Sequence, residues 1–281
     1  MRYRFQFTRV VLKARSVIDF VLQRIWRWFV ATSHKVAKTL DLRMEGLIGS
    51  WAALLLACAA FKVLTAPTLP HTLVEALAMA FPFIALGASP VLGYRLAASV
   101  FPKGRISQQP TVRLALYGNW READHVERRA ARITRPAGFL VSLLVGVLLN
   151  VPFRTIKFLI IVPATAPTDP VWGQLFVLCF TLQATFLNFL YMTSFVMGLR
   201  CIPQFPRMLL FVWLFDILSQ LVMAQALGAV GLPRGIAPLL IHSLQENVVH
   251  VLIAVALWLP YLLLSDQVNL RYRWRMRRRS A

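Results

Sequence analysis

Six long apolar runs dominate this chain and leave few folds open to it. They cover Gly46 to Thr65, Leu73 to Tyr94, Gly138 to Val162, Trp172 to Leu199, Met208 to Gly228 and Gln245 to Ser265. A helix rises 1.5 Å per residue and a bilayer core is about 30 Å thick, so about 20 apolar residues cross it. Each run reaches that length. In hydrocarbon the backbone N–H and C=O groups find no water, and a single segment satisfies them only as a helix. The expected fold is all-α: a polytopic membrane protein with six transmembrane helices. The 58% hydrophobic content and mean hydropathy of +0.62 come in these blocks, not in amphipathic stripes.

Basic residues set the expected threading. Of the 31 Lys and Arg, 27 lie before Gly46, between Arg95 and Arg135, at Arg200 and Arg207, or after Asn269. Lys62, Arg154, Lys157 and Arg234 are the exceptions. Short loops rich in Lys and Arg stay cytoplasmic, which places both the N and C termini in the cytoplasm. A net charge of +20 and a pI near 11.3 would point to nucleic acid in a soluble protein. Here the cations adjoin spans, where anionic headgroups attract each by ~1 kcal/mol. The lipid bilayer is therefore the expected partner, and nucleic acid is not. Cys58, Cys179 and Cys201 are odd in number and lie within or beside apolar runs, so no disulfide framework or metal cluster is expected.

The chain divides into a basic amphipathic segment (1–45), two spans (46–94), a basic loop (95–137), four spans (138–265) and a basic tail (266–281). In the first segment Val11, Ile18, Leu22, Ile25 and Phe29 recur at helical spacing, with Lys13, Arg15, Gln23 and Arg27 mostly elsewhere around the wheel. That pattern predicts an amphipathic helix in the cytoplasmic interface, with Trp26 and Trp28 at headgroup level. Asp19, Arg24 and Arg27 interrupt its apolar core, so it does not read as a signal peptide. Pro82 and Pro90, near Gly87 and Gly93, predict a kink or break in the second span. Ala53 with Ala57, Ser142 with Gly146, and Ala224 with Gly228 are small pairs four apart, spaced for close helix packing. Trp120 to Arg135, where Glu122, Asp124 and Glu127 mix with arginines, predicts a short salt-bridged surface helix. The arginines of the tail, alternating with Tyr272 and Trp274, have lipid headgroups as their nearest anions.

Polar residues inside spans are the candidate functional groups, because a charge at the bilayer centre costs about 2.5–3.5 kcal/mol on insertion scales. Asp216 should lie near the midplane, with Gln220 one turn further on the same face. Asn150 and Gln183 should reach similar depth. Lys157 can snorkel to the outer headgroups. Arg154 is less free to do so, and its acidic partner by depth is Asp216 or Glu246, with Glu75 more remote. A pair of Arg154 with Asp216, bridged by Gln183 or Gln220, is the expected arrangement. His242, Glu246 and His250 follow at spacings of four with Asn247 beside them, which suits a hydrated vestibule or a proton relay between Glu246 and His250. No second helix supplies His, so neither a metal nor another cofactor is expected. No nucleotide-binding glycine loop, G-x-S-x-G or carboxylate pair is present, so an enzyme is not expected.

The last span and its exit, WLPYLLLSDQVNLRYRW from Trp258 to Trp274, resembles the closing motif of a family of small bacterial inner-membrane proteins described only as a domain of unknown function. Trp258, Pro260, Tyr261, Ser265 and Val268 match that motif. Gln267 replaces its basic residue, and Arg271 and Tyr272 stand where the family closes with Thr and an aromatic. The resemblance covers roughly Arg135 to the end and implies a four-span unit in a bacterial inner membrane, with no activity attached. Two function classes remain. One is a non-enzymatic accessory or scaffold subunit working through helix contacts with a membrane or cytosolic protein partner. The other is a small transporter or permease with its polar site around Asn150, Arg154, Gln183 and Asp216.

Overall fold

The computed structural model describes residues 2–67, 69–102, 109–110, 114, 118–133, 136, 138–165, 170–229 and 237–278, excepting the side chains of 2–22, 41, 132, 133, 237 and 239. The expected apolar faces of Val11, Ile18 and Leu22, the cations Lys13 and Arg15, and Arg234 lie outside that description. All six expected spans are helical, and the helices are long and apolar enough to cross a membrane. The chain is a multi-pass membrane protein. Its long helices are α1 (Arg2–Leu64), α2 (Leu73–Val100), α4 (Phe139–Ile161), α5 (Val171–Leu199), α6 (Phe205–Ala229) and α7 (Ala237–Leu264). Shorter elements are β1 (Trp120–Glu122), α3 (His125–Ile133), α8 (Asp266–Arg273) and β2 (Arg275–Arg277).

The amphipathic segment and the first span form one unbroken helix, α1. Its Trp26, Phe29 and Ser33 lie beside the start of α4, where Gly138 N donates to Ser33 Oγ at 2.8 Å. Trp26 and Phe29 lie 5.6 Å from Phe139, and Phe139 lies 6.1 Å from Tyr261 of α7. Aromatic rings thus join three helices at one level. Further along, Lys62 Nζ donates to the Val162 carbonyl at 3.2 Å, so α1 and α4 finish at the same end of the bundle, here the far end. Lys62 is tied to protein backbone there, which differs from a cation free to reach headgroups.

α5 is the most enclosed helix and α2 lies closest against it. Of the kink or break expected at the prolines of α2, the break is absent: the helix continues through Pro82 and Pro90. Pro90 denies the Leu86 carbonyl its helical donor. Trp51 Nε1 of α1 donates to the adjacent Gly87 carbonyl at 3.1 Å, which ties the weakened turn to a neighbour. Ser89 Oγ donates to the Thr185 carbonyl, and Gly93 presses on α5 so closely that a Cβ would sit 2.8 Å from the Phe189 carbonyl oxygen. The close-packing glycines are Gly87, Gly93 and Gly198, not the small pairs expected from spacing. Ala53, Ala57, Ala224 and Gly228 are exposed on the bundle, facing what would be lipid, while Gly146 is exposed at the edge of a cavity beside α5 and α7.

At the opposite, tail end, the chain reverses between α5 and α6 in a tight turn. Cys201 adopts a left-handed conformation (φ 56°), Ile202 N donates to Met197 O at 2.9 Å, and Cys201 N donates to Gly198 O at 3.2 Å. This is a Schellman cap with cysteine where glycine is usual. The tail is folded against it. Tyr272 is fully buried and donates from its hydroxyl to Gly198 O at 2.7 Å. β2 pairs antiparallel with β1, Trp120 opposite Arg277 and Glu122 opposite Arg275. Neither strand was expected. The salt-bridged surface helix was, and α3 supplies it: Arg121 contacts Glu127 at 2.5 Å, and Arg128 reaches Glu122 at 3.7 Å. The hydrogen bond from Arg121 holds the Glu127 carboxyl below the usual carboxylate range.

Gly93→Ala should separate α2 from α5, because the obstructing atom is backbone and cannot rotate away. Overpacking of this kind costs about 1–3 kcal/mol, seen as a lower unfolding temperature in detergent. Gly146→Ala, where nothing lies within 4 Å, should leave that temperature unchanged or raised.

Candidate functional site

Two apolar cores fill the bundle. One, toward the tail end, gathers Leu187, Phe195, Leu209 and Tyr272. The other, toward the far end, gathers Phe83, Phe158, Phe176 and Leu227. The polar residues of α4, α5 and α6 lie between them, since α4 passes from Val151 in the first core to Phe158 in the second, with Arg154 and Thr155 between. Asp216 sits in that layer with no solvent exposure. A carboxylate so placed must be paired.

Arg154 Nη2 donates to Asp216 Oδ2 at 2.5 Å, and the Tyr191 hydroxyl donates to the same oxygen at 2.9 Å. Gln220 Nε2 reaches Oδ1 at 3.4 Å from one turn along α6. The Arg154 guanidinium stands 5.7 Å from the centre of the Tyr191 ring, within cation–π range. Asn150 Oδ1, one turn back on α4, lies 3.5 Å from Arg154 Nη2. The expected pair is therefore formed, and of the two amides expected beside it Gln220 reaches the carboxylate whereas Gln183 does not. Gln183 donates instead to Ser219 Oγ at 3.0 Å, and Ser219 donates to the Asp216 backbone carbonyl at 2.9 Å. Gln183 thus braces the backbone beneath the carboxylate, while Tyr191 takes the position expected of a bridging amide.

A cavity of about 480 Å³ opens between α4, α5 and α7. It extends along α4 from Gly146 to Ile161. Asn150, Arg154, Lys157, Gln183, Asn247 and His250 all line it. Asp216 and Gln220 stand behind, one layer removed. Lys157 does not extend toward headgroups as expected: its Nζ donates to Asn247 Oδ1 at 2.9 Å across the cleft from α7. Of the two readings given for the start of α7, a hydrated vestibule or a proton relay, the relay has no direct Glu246–His250 contact here: Glu246 meets His242 Nδ1 at 3.5 Å while His250 lines the cavity. Among the described residues Lys157 has no carboxylate partner. With Arg154 neutralised by Asp216, the cavity carries one uncompensated positive charge.

Two more features belong here. Asn188 Nδ2 donates to Thr155 Oγ1 at 3.0 Å, and Thr155 Oγ1 donates to Val151 O at 2.9 Å, extending the polar layer behind Arg154. Arg154 Nε is buried without a protein acceptor. Sequence reading missed Tyr191, Ser219 and the inward use of Lys157. A signal existed for two of them. Tyr191 lies eight residues after Gln183, about two helical turns, and Ser219 lies three after Asp216, so both share a face with a residue already singled out.

Asp216→Asn should destabilise the protein by about 3–5 kcal/mol, since it strands the Arg154 cation in a low-dielectric layer. Pairing it with Arg154→Met should recover much of that loss, because both charges are then gone. A double-mutant cycle of unfolding temperatures in detergent checks both; additive losses would sink the pairing as the source of the effect. Protein-family models, curated proteins and solved structures offer no match to this chain.

Proposed function

We propose that the protein is a small non-enzymatic permease that binds an anionic solute in the cavity between α4, α5 and α7. The observation that carries this reading is convergence. Six polar side chains from three different spans face one cavity, and the sum of their charges with Asp216 leaves a single cation, Lys157. Polar residues within spans are expensive and are retained where they pair or line a solute path. Arg154 and Asp216 do the first; Lys157, Asn247, Asn150 and His250 are placed for the second. Donors on Lys157, Arg154 and Asn247 suit a carboxylate or phosphate oxygen, while the apolar walls from Phe153, Phe180 and Val251 suit a short carbon skeleton.

In this reading the tail end faces the cytoplasm of a bacterial cell, with both termini inside. The skew of 27 of 31 cations toward that side supports the orientation, and the Trp258 to Trp274 resemblance supports the membrane. Solute would approach from the far end, where the cavity reaches Ile161. One observation favours the accessory-subunit reading instead. An apolar groove of about 220 Å³ lies between α1, α2 and α4, lined by Met44, Trp51, Pro90, Leu149, Pro152 and Met192. A partner span or a lipid chain fits such a surface.

The test is a panel of small organic carboxylates and phosphates against purified protein in detergent, read as a rise in unfolding temperature, followed by uptake into proteoliposomes. At least one anion should stabilise the wild type and enter vesicles, and Lys157→Met should weaken its binding by 10-fold or more, the share expected of one charge-assisted contact at about 1.5–3 kcal/mol. Amines of similar size should do nothing. No response to any anion, or a response unaltered in Lys157→Met, would overturn the permease reading in favour of the accessory reading.

A further inference from the structure

The tail end holds a second group of cations with a different surrounding. Arg273, in the last turn of α8, is only 3% exposed, and Arg207, in the first turn of α6, is half-buried. Both line a small pocket with Gln109, Pro110, Pro203 and Pro206. Arg273 Nη1 donates to Asn269 Oδ1 at 2.7 Å, but its Nη2 is buried with no acceptor. Arg207 Nη2 is likewise buried with no acceptor. Neither has a carboxylate partner among the described residues. Burial, together with the charges of Arg207 and Arg275, lowers the Arg273 guanidinium to about 10, so it remains a cation at neutral pH and is held beside another.

Two guanidinium groups facing one pocket with unused donors and no counter-charge make an unstable arrangement unless something negative completes it. We infer that the Arg207–Arg273 pocket binds a phosphate-type oxyanion, with one oxygen seated between the two Nη2 donors. The volume supports a single oxygen and no more, about 10 Å³, with the rest of the group at the mouth. Guanidinium forks suit phosphate geometry better than ammonium groups do. Gln109 is held beside them by its Nε2 bond to Tyr272 O at 3.1 Å, which leaves its Oε1 buried and without a donor. That atom can accept from a protonated phosphate oxygen or from a water bound with it. The site is separate from the cavity, using α6, α8 and the residues Gln109 and Pro110. The phosphate can be inorganic or the headgroup of an anionic lipid.

The experiment uses the full chain carrying Lys157→Met, so that anion binding in the cavity is suppressed. Unfolding temperature is measured against inorganic phosphate in detergent, and again in nanodiscs of phosphatidylglycerol or phosphatidylcholine. Stabilisation by inorganic phosphate identifies a free anion; stabilisation by phosphatidylglycerol alone identifies a headgroup. In either case Arg207→Gln should weaken the effect by 10-fold or more, and Arg207→Lys, which keeps charge without the fork, by less. Without ligand, Arg207→Gln should unfold at the same or a higher temperature, since it relieves repulsion on Arg273. A wild-type pocket indifferent to both phosphate sources holds water only and overturns the inference, as does stabilisation that survives Arg207→Gln. Because Lys157 is already absent, failure here leaves the permease reading standing, and the reverse holds too.

Discussion

The bond between Arg154 and Asp216 is the constraint around which the bundle is arranged. Two apolar cores could have merged into one; instead a layer of charge and amide separates them, and every helix that borders the layer contributes to satisfying it. α4 gives the cation, α6 the carboxylate, and α5 the Tyr191 hydroxyl and Gln183. Hydrophobic association between spans is weak in lipid, where tails are as apolar as leucine, so directional contacts and close backbone approach decide which helices pair. The layer supplies the directional contacts. Gly93 against Phe189 supplies the close approach. Together they place α5 at the centre and leave α7 beside α6, facing α4 across a gap that becomes the cavity.

Much of this could be read before any coordinates. The spans follow from block length, and the Arg154 partner follows from depth, because an intramembrane cation restricts its acid to the few carboxylates at the same level. What depth cannot supply is rotation. Gln183 and Gln220 both had the right height, yet helix rotation turns Gln183 toward Ser219 and admits Tyr191. Lys157 was assigned to headgroups on reach alone, whereas Asn247 lies nearer on the neighbouring helix. The small-residue pairs failed for a related reason: spacing of four marks a stripe, and the stripe can face lipid as readily as a neighbour. The glycines that matter, at 87, 93 and 198, show themselves only once the residues that press on them, Leu55, Phe189, Leu144 and Phe205, are in place.

The tail and the loop before α4 illustrate a different limit. Arginines alternating with Tyr272 and Trp274 read as a surface anchor, since composition alone cannot distinguish an aromatic that lies in a lipid interface from one that fills a protein pocket. Tyr272 does the latter, and the strand pair that holds it joins segments about 150 residues apart, a separation that no local pattern signals.

That docking depends on how three other helices meet. Gly198, whose carbonyl receives the Tyr272 hydroxyl, has no space for a side chain: a Cβ would meet Leu144 and stand 2.9 Å from the Phe205 ring. The receptor for the tail therefore exists only when α4, α5 and the start of α6 are already in contact. The segment that fills it follows α7 in the chain. Its docking thus reads the packing of α4, α5 and α6 at once: where any of the three is displaced, the Tyr272 hydroxyl loses the acceptor that makes its burial tolerable.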